Sequence, residues 1–465
     1  MPAAELTFGQ QQFQHASLGD PRRTRRLIKS VDQMVRHPGG TLPDKLSSPA
    51  DLKAFYDLCD RPEVTHAAVL AAHRHETLKA IHQTDQDVLV IHDATELDYT
   101  TLSTLKNDLG QIGNGSGRGY VCQNSLAVTD TGDVLGLTQQ VLHCRDDVPK
   151  REARAQTRDR QSRESRLWIH GTADLPADRR LIDVCDRLAD TFEFLEHECR
   201  SGRRFVIRSH HDRRIVMGHE GDGSNADEVA KLQTWGTELA PLGTRTVRLA
   251  GACEGELQQT LLAVSAGAVR VVPPRQPAGE HGTEPLPLWL VRTWEPEPRP
   301  GEEPLEWSLL TNEQVTTLED AARVVGWYER RWIIEEYHKA LKTGCGIETL
   351  QFTTPGRMEP AIAVLSVVAL TLLKLRDLAR RPDAKDRPAT EVVSERYVEV
   401  LSAWRLRRVC RSWTIHEFTL ALARLGGHQN RRKDKRPGWL VLWRGWMKLE
   451  TMLDGAQAAL LIAQR

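Results

Sequence analysis

Two short apolar runs, each closing on an aspartate, constrain this chain more than any other feature. "DVLVIHDATELDYT" holds an unbroken apolar stretch, Val88 to Ile91, that ends at His92-Asp93. "RRLIDVCDRLADTFEFLEH" gives a second strand, running into a helix at Asp186. An apolar run without alternation is the pattern of a strand buried on both faces, which places a covered sheet in an α/β fold.

The regions around these strands differ in character. Residues 1 to about 80 read as helices: "DPRRTRRLIKSVDQMVRHPGG" starts after Asp20, an N-cap followed by Pro21, and "SPADLKAFYDLCDRPEV" supplies Leu52, Phe55 and Leu58 at helical spacing. "YVCQNSLAVTD" and "DVLGLTQQVLH" continue the first strand as a meander. "DVPKREARAQTRDRQSRESRLWIHG" reads as a strongly charged helix, and short β segments recur from about 200 to 310. From about 355 the chain is helical, with a basic loop, "HQNRRKDKRPG", before a Trp-rich amphipathic helix.

"WYERRWIIEEYHKALKTG", Trp327 to Gly344, reads as one helix with two faces. At about 100° per residue, Tyr328, Arg331, Glu335, Lys339 and Lys342 fall on a stripe roughly 80° wide. Ile333, Ile334, Tyr337, Ala340 and Leu341 take the opposite side and are expected in a core. The stripe suits a solvated surface laced with pairs such as Arg331 and Glu335. It equally suits a grip on phosphates, with the carboxylate holding a cation.

Composition limits the choices. With 465 residues, 40% apolar and 27% charged, the chain is a globular protein of more than one domain. Its 63 basic and 63 acidic residues cancel, so any attraction to nucleic acid must come from local patches. The eight cysteines form no C-x-x-C pair, which argues against a zinc ribbon or a disulfide framework and suits a reducing cytoplasm. The opening "MPAAELTFGQQQF" lacks the basic flank and apolar core of a signal peptide, and the apolar run from Ala361 is interrupted by Lys374 and too short to cross a bilayer. A cytoplasmic protein is expected.

Asp93 and Asp186 at strand ends and Glu335 on a helix form a carboxylate set drawn from separate elements. Such sets hold two divalent cations about 3.5–4 Å apart in phosphoryl transfer, with Mg²⁺ or Mn²⁺ as the preferred ions. Strand-end aspartates also occur as plain helix caps.

Taken together, these residues resemble the bacterial cut-and-paste DDE transposases with the Y-R-E-K signature. Tyr328, Arg331, Glu335 and Lys342 reproduce the spacing Y-x2-R-x3-E-x6-K, and "LGDPRRTRRL", "DATELDY", "VCDRLAD", "RFVIRS", "EWSLLT" and "ARLGG" follow the family in order along nearly the whole chain. The resemblance implies an α/β fold with an RNase H-like catalytic core over about 81–355, a β-rich insertion at about 200–310, a helical DNA-binding domain over 1–80 and a helical, dimerising domain over 356–465. It implies Asp93, Asp186 and Glu335 as catalytic metal ligands with two Mg²⁺ ions, Mn²⁺ substituting. Trp307 would stack on a base flipped from the transposon end, where stacking returns about 1–3 kcal/mol. Arg22, Arg23, Arg25 and Arg26 would contact the terminal repeat, and Arg208, Tyr328, Arg331, Lys339 and Lys342 would contact phosphates. His92 and His210 depart from the residues usual in the family at those places.

The expected partners are double-stranded DNA, as terminal inverted repeats and target, and a second copy of the chain in a homodimer. Two other readings stay open: a DNA-binding relative without catalysis, and a structure-selective nuclease that does no joining. Trp307 also fits a core strand, and the four arginines also fit a solvated helix start.

Overall fold

The computed structural model describes residues 6–46, 48–113, 116–146, 156, 162–217, 229–250, 257–275, 280–297, 303–431, 434 and 437–463. The chain is mixed α/β and divides into two compact units, one of residues 1–76, 252–256 and 336–465, the other of residues 77–251 and 257–335.

The second unit is built on a sheet of strands β1 (Val88–Asp98), β2 (Gly110–Ile112), β3 (Gly117–Thr129), β4 (Val134–His143), β5 (Leu181–Cys185), β6 (Arg204–Arg208), β7 (Arg214–Met217), β8 (Val229–Lys231), β9 (Gly243–Ala250), β10 (Leu257–Val271), β11 (Leu286–Trp294) and β12 (Glu306–Thr311). Their order is β2-β3-β1-β5-β6-β12-β11-β10-β7-β8, with β4 on β3 and β9 on β10. β1, β5 and β6 run parallel, while β3 and β4 pair antiparallel in a meander. Val88 to Ile91 are fully buried, as the unalternating run requires.

β1 does not end at His92-Asp93, as the sequence suggested, but continues to Asp98. The reason is its neighbour on the other side: the parallel pairing with β5 stops at His92↔Cys185, whereas β3 pairs onward through Asp93↔Asn124 to Asp98↔Gly119. Asp93 therefore sits where the sheet loses one partner strand and opens. Gly119 permits the close pairing there, because a Cβ on it would lie 1.8 Å from the Leu97 carbonyl oxygen.

β6 and β12 also differ from expectation. Arg208, within the stretch of about 200–310 expected as a β-rich insertion, ends a strand that extends the parallel part of the sheet, and β12 returns antiparallel against it through Leu309↔Arg208. The core between the sheet and its helices gathers Phe192, Phe194, Phe205, Ile207, Leu288 and Leu310.

In the first unit, helix α1 (Phe8–Phe13) precedes α2 (Pro21–Arg36), whose N-cap Asp20 accepts a hydrogen bond from the Arg22 amide and whose Pro21 stands at the first turn, as the sequence indicated. The helix Pro49–Cys59 follows, with Phe55 and Leu58 buried and Leu52 half-buried. The helix Pro355–Arg380 outruns the apolar segment that marked it. Its stretch Pro355–Leu378 is long and apolar enough to cross a membrane, yet most of its apolar part is buried inside the protein. Of the basic loop, Arg432, Lys433, Lys435 and Arg436 lie outside the described residues, as does most of the charged segment 147–161.

The last two helices, Ile415–Leu425 and Trp439–Ala463, meet at a glycine contact. A Cβ on Gly426 would come within 1.9 Å of the Val441 carbonyl oxygen, and one on Gly445 within 2.0 Å of the Leu422 carbonyl oxygen. Both obstacles are backbone and cannot swing away. Gly445→Ala is therefore expected to force these helices apart and destabilise the protein by about 1–3 kcal/mol. A lowered melting temperature in calorimetry checks this, and an unchanged one would show that the crossing relaxes freely.

Candidate functional site

Parallel strands point their carboxyl ends the same way, and ligand sites of α/β sheets gather there. The register of β1 against β5 brings Asp93, one residue past the last pair, beside Asp186, the first residue after β5. Asp186 caps the short 3₁₀ turn Arg187–Ala189, its Oδ1 accepting from the Leu188 amide at 2.9 Å. Glu335 joins from the helix Trp332–Lys339, with carboxylate oxygens of Asp93 and Glu335 within 4.8 Å of one another.

Arg331 bridges these acids. Its Nη1 donates to Asp93 Oδ2 at 3.0 Å, and both Nη atoms donate to Glu335 Oε1 at 3.3 Å. One guanidinium among Asp93, Asp186 and Glu335 leaves the cluster short of positive charge. Burial, reinforced by the negative charge of Asp186 and only partly offset by Arg331, pushes the Asp93 carboxyl up to about 7. Burial also raises Asp186. Raised carboxyls at Asp93 and Asp186, short of counter-charge beside the oxygen donors of Glu335, fit a hard divalent cation such as Mg²⁺ or Mn²⁺.

The expected single helix from Trp327 to Gly344 is instead two. One runs Leu318–Glu329, the next Trp332–Lys339, and Ala340–Gly344 is a π-helical turn. The break is an overwound turn: the amides of Arg330, Arg331, Ile333 and Ile334 each bond to the carbonyl three residues back. Neither Gly nor Pro marks the place, so the sequence held no signal of it. The tighter turn still leaves Arg331 on Glu335, so that part of the stripe survives. Ile334, Tyr337, Ala340 and Leu341 are buried as expected, and Ile333 is half-buried.

Tyr328, 5% exposed, closes the end of the first of these helices. Its ring meets Trp307 edge-on, with centroids 5.2 Å apart and planes at 67°. Burial raises the Tyr328 hydroxyl above its ordinary value against the charges of Arg331 and Arg208, and Arg208 donates to the Glu306 carbonyl at 3.3 Å. Because Arg208 pairs with Leu309, two residues from Trp307, both side chains leave the same face of the sheet. Trp307 is half-buried, neither a sealed core residue nor a free surface one. Lys339 is exposed at the end of its helix, and Lys342 pairs with Glu348 at 3.2 Å; both belong to the first unit.

Behind Asp93, on the opposite face of β1, is a network the sequence did not announce. His92 Nε2 lies 2.7 Å from Asp183 Oδ1 and its Nδ1 lies 2.8 Å from Ser125 Oγ, while Arg203 Nε donates to Asp183 Oδ2 at 2.6 Å. His92 and Asp183 are wholly buried. Burial works to raise the Asp183 carboxyl, but the bond from His92 and the charge of Arg203 hold it below its ordinary value. The alternation of acid and apolar residues in "LIDVC" was the available signal, since Asp183 interrupts a strand that is otherwise apolar.

The arginines of α2 separate by role. Arg23 donates to the Leu18 carbonyl at 2.8 Å and pairs with Glu63. Arg26 donates to Asp51 Oδ1 at 2.8 Å, alongside Lys29 at 2.6 Å, and Asp51 also accepts from Gln33. Arg22 is 82% exposed and folds back on Asp20, while Arg25 is exposed and has no polar partner among the described residues. Arg25, Lys29 and Arg36 line one groove of about 330 Å³ with Thr7 and Gln10.

Residues 7–64, which hold α1, α2 and the helix Pro49–Cys59, match the family model described as transposase DNA-binding. The N-terminal helical region is thus similar to the DNA-binding domain of transposases, and this supports a DNA-binding transposase as the class of protein to which the chain is related.

Proposed function

We propose that the chain is a DDE transposase, which binds double-stranded DNA at terminal inverted repeats through residues 7–64 and cuts and joins it at Asp93, Asp186 and Glu335. The observation that carries this reading is the convergence of those carboxylates, from two parallel strand ends and a helix, in a chain whose N-terminal helices match a transposase DNA-binding family. The order of β4-β3-β1-β5-β6, antiparallel in its first half and parallel in its second, supports an RNase H-like core. Two Mg²⁺ ions held by the acids would supply activation of an attacking oxygen and stabilisation of the leaving one.

The chain's own residues supply the rest. Arg331 holds Asp93 and Glu335 in place and offers its remaining charge to a phosphate. Arg208 and the Tyr328 hydroxyl form a second phosphate contact beside Trp307, whose exposed edge can take a base turned out of the duplex. Lys339 and Lys342, later in the sequence, are further candidates for phosphate contacts. Joining two DNA ends calls for a homodimer. In the helix Trp439–Ala463, Leu442, Leu449 and Leu453 are buried within the chain. The exposed Leu460, Leu461 and Ile462 remain for a second copy.

The direct test incubates the protein with a DNA fragment carrying the inverted repeats that flank its reading frame, with Mg²⁺ or EDTA. Nicks and hairpins at the repeat boundary, present with Mg²⁺ and absent with EDTA, are expected. Specific binding with no cleavage in either Mg²⁺ or Mn²⁺ would reduce the chain to a DNA-binding protein.

The split among the α2 arginines gives a second expected outcome. Arg25→Ala should leave the melting temperature unchanged and lower the slope of log binding constant against log salt by about one, the signature of one lost phosphate contact. Arg26→Ala should instead lower the melting temperature, because it leaves Asp51 short of a partner. A salt titration and a thermal melt on both variants decide, and equal slopes for Arg25→Ala and wild type would remove Arg25 from the DNA contact.

A further inference from the structure

Four residues after Asp186, the Asp190 side chain is wholly out of solvent, yet it belongs to no helix or strand ladder. Its Oδ2 accepts from the backbone amides of His210 at 2.7 Å and His211 at 2.9 Å, and from Ser209 Oγ at 3.4 Å. Its Oδ1 takes both arms of Arg213, Nε at 2.9 Å and Nη2 at 2.7 Å, and Nη2 also donates to the Asp190 carbonyl. A buried carboxylate is tolerated only when paired and hydrogen-bonded, and here a single loop meets the whole requirement.

The loop starts at Ser209, directly after Arg208, and the Ser209 amide donates to the Ser308 carbonyl at 2.7 Å, next to Trp307. One carboxylate thus joins the turn that begins at Asp186 to the segment between Arg208 and Arg213. We infer that Asp190 is a positioning residue: it holds Arg208 and the Tyr328–Trp307 ring pair in register with the metal-binding carboxylates through the loop it clamps. This rests on the reading of the site proposed above. The mechanical claim, that Asp190 sets the order of the loop, is independent of that reading and can be measured separately.

Asp190→Asn preserves size but puts an amide against either the His210 and His211 amides or the Arg213 fork, so one side of the clamp must open. Hydrogen exchange read by mass spectrometry should rise about tenfold or more across residues 209–213, with the strands β1 and β5 unchanged. In cleavage of a repeat-bearing fragment, the rate with Mg²⁺ should fall about 10- to 100-fold, the scale expected when reacting groups are misplaced by about 1 Å. The rate with Mn²⁺ should fall less, because Mg²⁺ demands near-ideal octahedral geometry. The Mn²⁺-to-Mg²⁺ rate ratio therefore rises, which a general loss of stability would not produce. If Asp190→Asn does not fold, Arg213→Gln opens the same clamp from its outer arm and takes the same measurements. Wild-type exchange in the 209–213 segment of a folded variant overturns the inference whether or not the wild-type protein cuts DNA. Equal losses with both metals overturn the link to the site. A wild-type protein that cuts no DNA overturns the proposed function, and the exchange measurement alone then decides the role of Asp190.

Discussion

Asp93→Asn should abolish DNA cleavage and at the same time stabilise the metal-free protein at pH 8. The first effect follows from the proposed function, in which Asp93, Asp186 and Glu335 are the metal ligands, and Asp186→Ala and Glu335→Ala should share it while leaving DNA binding intact. The second follows from proton linkage. The folded-state value of the Asp93 carboxyl, about 7, lies above the roughly 3.9 of an unfolded chain. Between those values the folded protein binds more protons than the unfolded one, so the contribution of Asp93 to stability is present at low pH and lost as pH rises through about 7. Asparagine carries no charge to bury at any pH. The melting temperatures of variant and wild type, measured in EDTA, should converge toward pH 4 and separate in the variant's favour toward pH 8. A variant less stable than wild type at pH 8 would mean that Arg331 already balances the cluster, and cleavage by any of the three variants at the wild-type rate would remove that residue from the site.

Trp307→Ala separates two physical roles by the kind of failure it causes. If Trp307 serves only as packing for Tyr328, truncation should destabilise by about 3–5 kcal/mol and weaken every step together. Its half-buried position and its edge-on contact with Tyr328 argue for the other outcome. The variant should stay folded and nick the first strand at close to the wild-type rate, because that step needs only the carboxylates and the phosphate contacts. Hairpin formation should then drop by about tenfold or more, since the loss of about 1–3 kcal/mol of base stacking falls on the step that bends the strand sharply. A labelled end fragment resolved on a denaturing gel gives nick and hairpin yields side by side, and a thermal melt checks the fold. Wild-type hairpin yield, or a collapsed melt with loss of every product, would end the stacking assignment.

Much of this arrangement was legible in the residues, and where it was not the reason is specific. Asp20 and Pro21 announce the start of α2 because capping is a local property, and Val88 to Ile91 announce a buried strand because burial on both faces removes alternation. The length of β1 was not legible, since its extension past Asp93 depends on β3, whose pairing residues lie some distance along the chain. The overwound turn at Arg330 and Arg331 was hidden for a related reason: no helix breaker stands there. Among the site residues, spacing alone brought out Tyr328, Arg331 and Glu335, because they are close in sequence. Asp183 and Asp190 were missed because their partners, His92 and Arg203 in one case and residues 209–213 in the other, are supplied by other elements. The four arginines of α2 look alike in sequence, and only the placement of Asp51 and Glu63 distinguishes those that brace the helix from Arg25.

The spread of the carboxylates along the chain also sets a timetable for synthesis. Residues 7–64 are made well before the acidic cluster is complete, and Glu335 follows Asp186 by 335 − 186 = 149 residues. At about 5–20 residues per second, that interval is on the order of 7–30 s. During it, a nascent chain already holds its DNA-binding segment and both strand-borne aspartates but has no complete acidic cluster. Under the proposed function, a message cut short in this stretch yields chains that carry residues 7–64 and both aspartates but lack Glu335, so translation has to run past Glu335 before any chain can cut DNA.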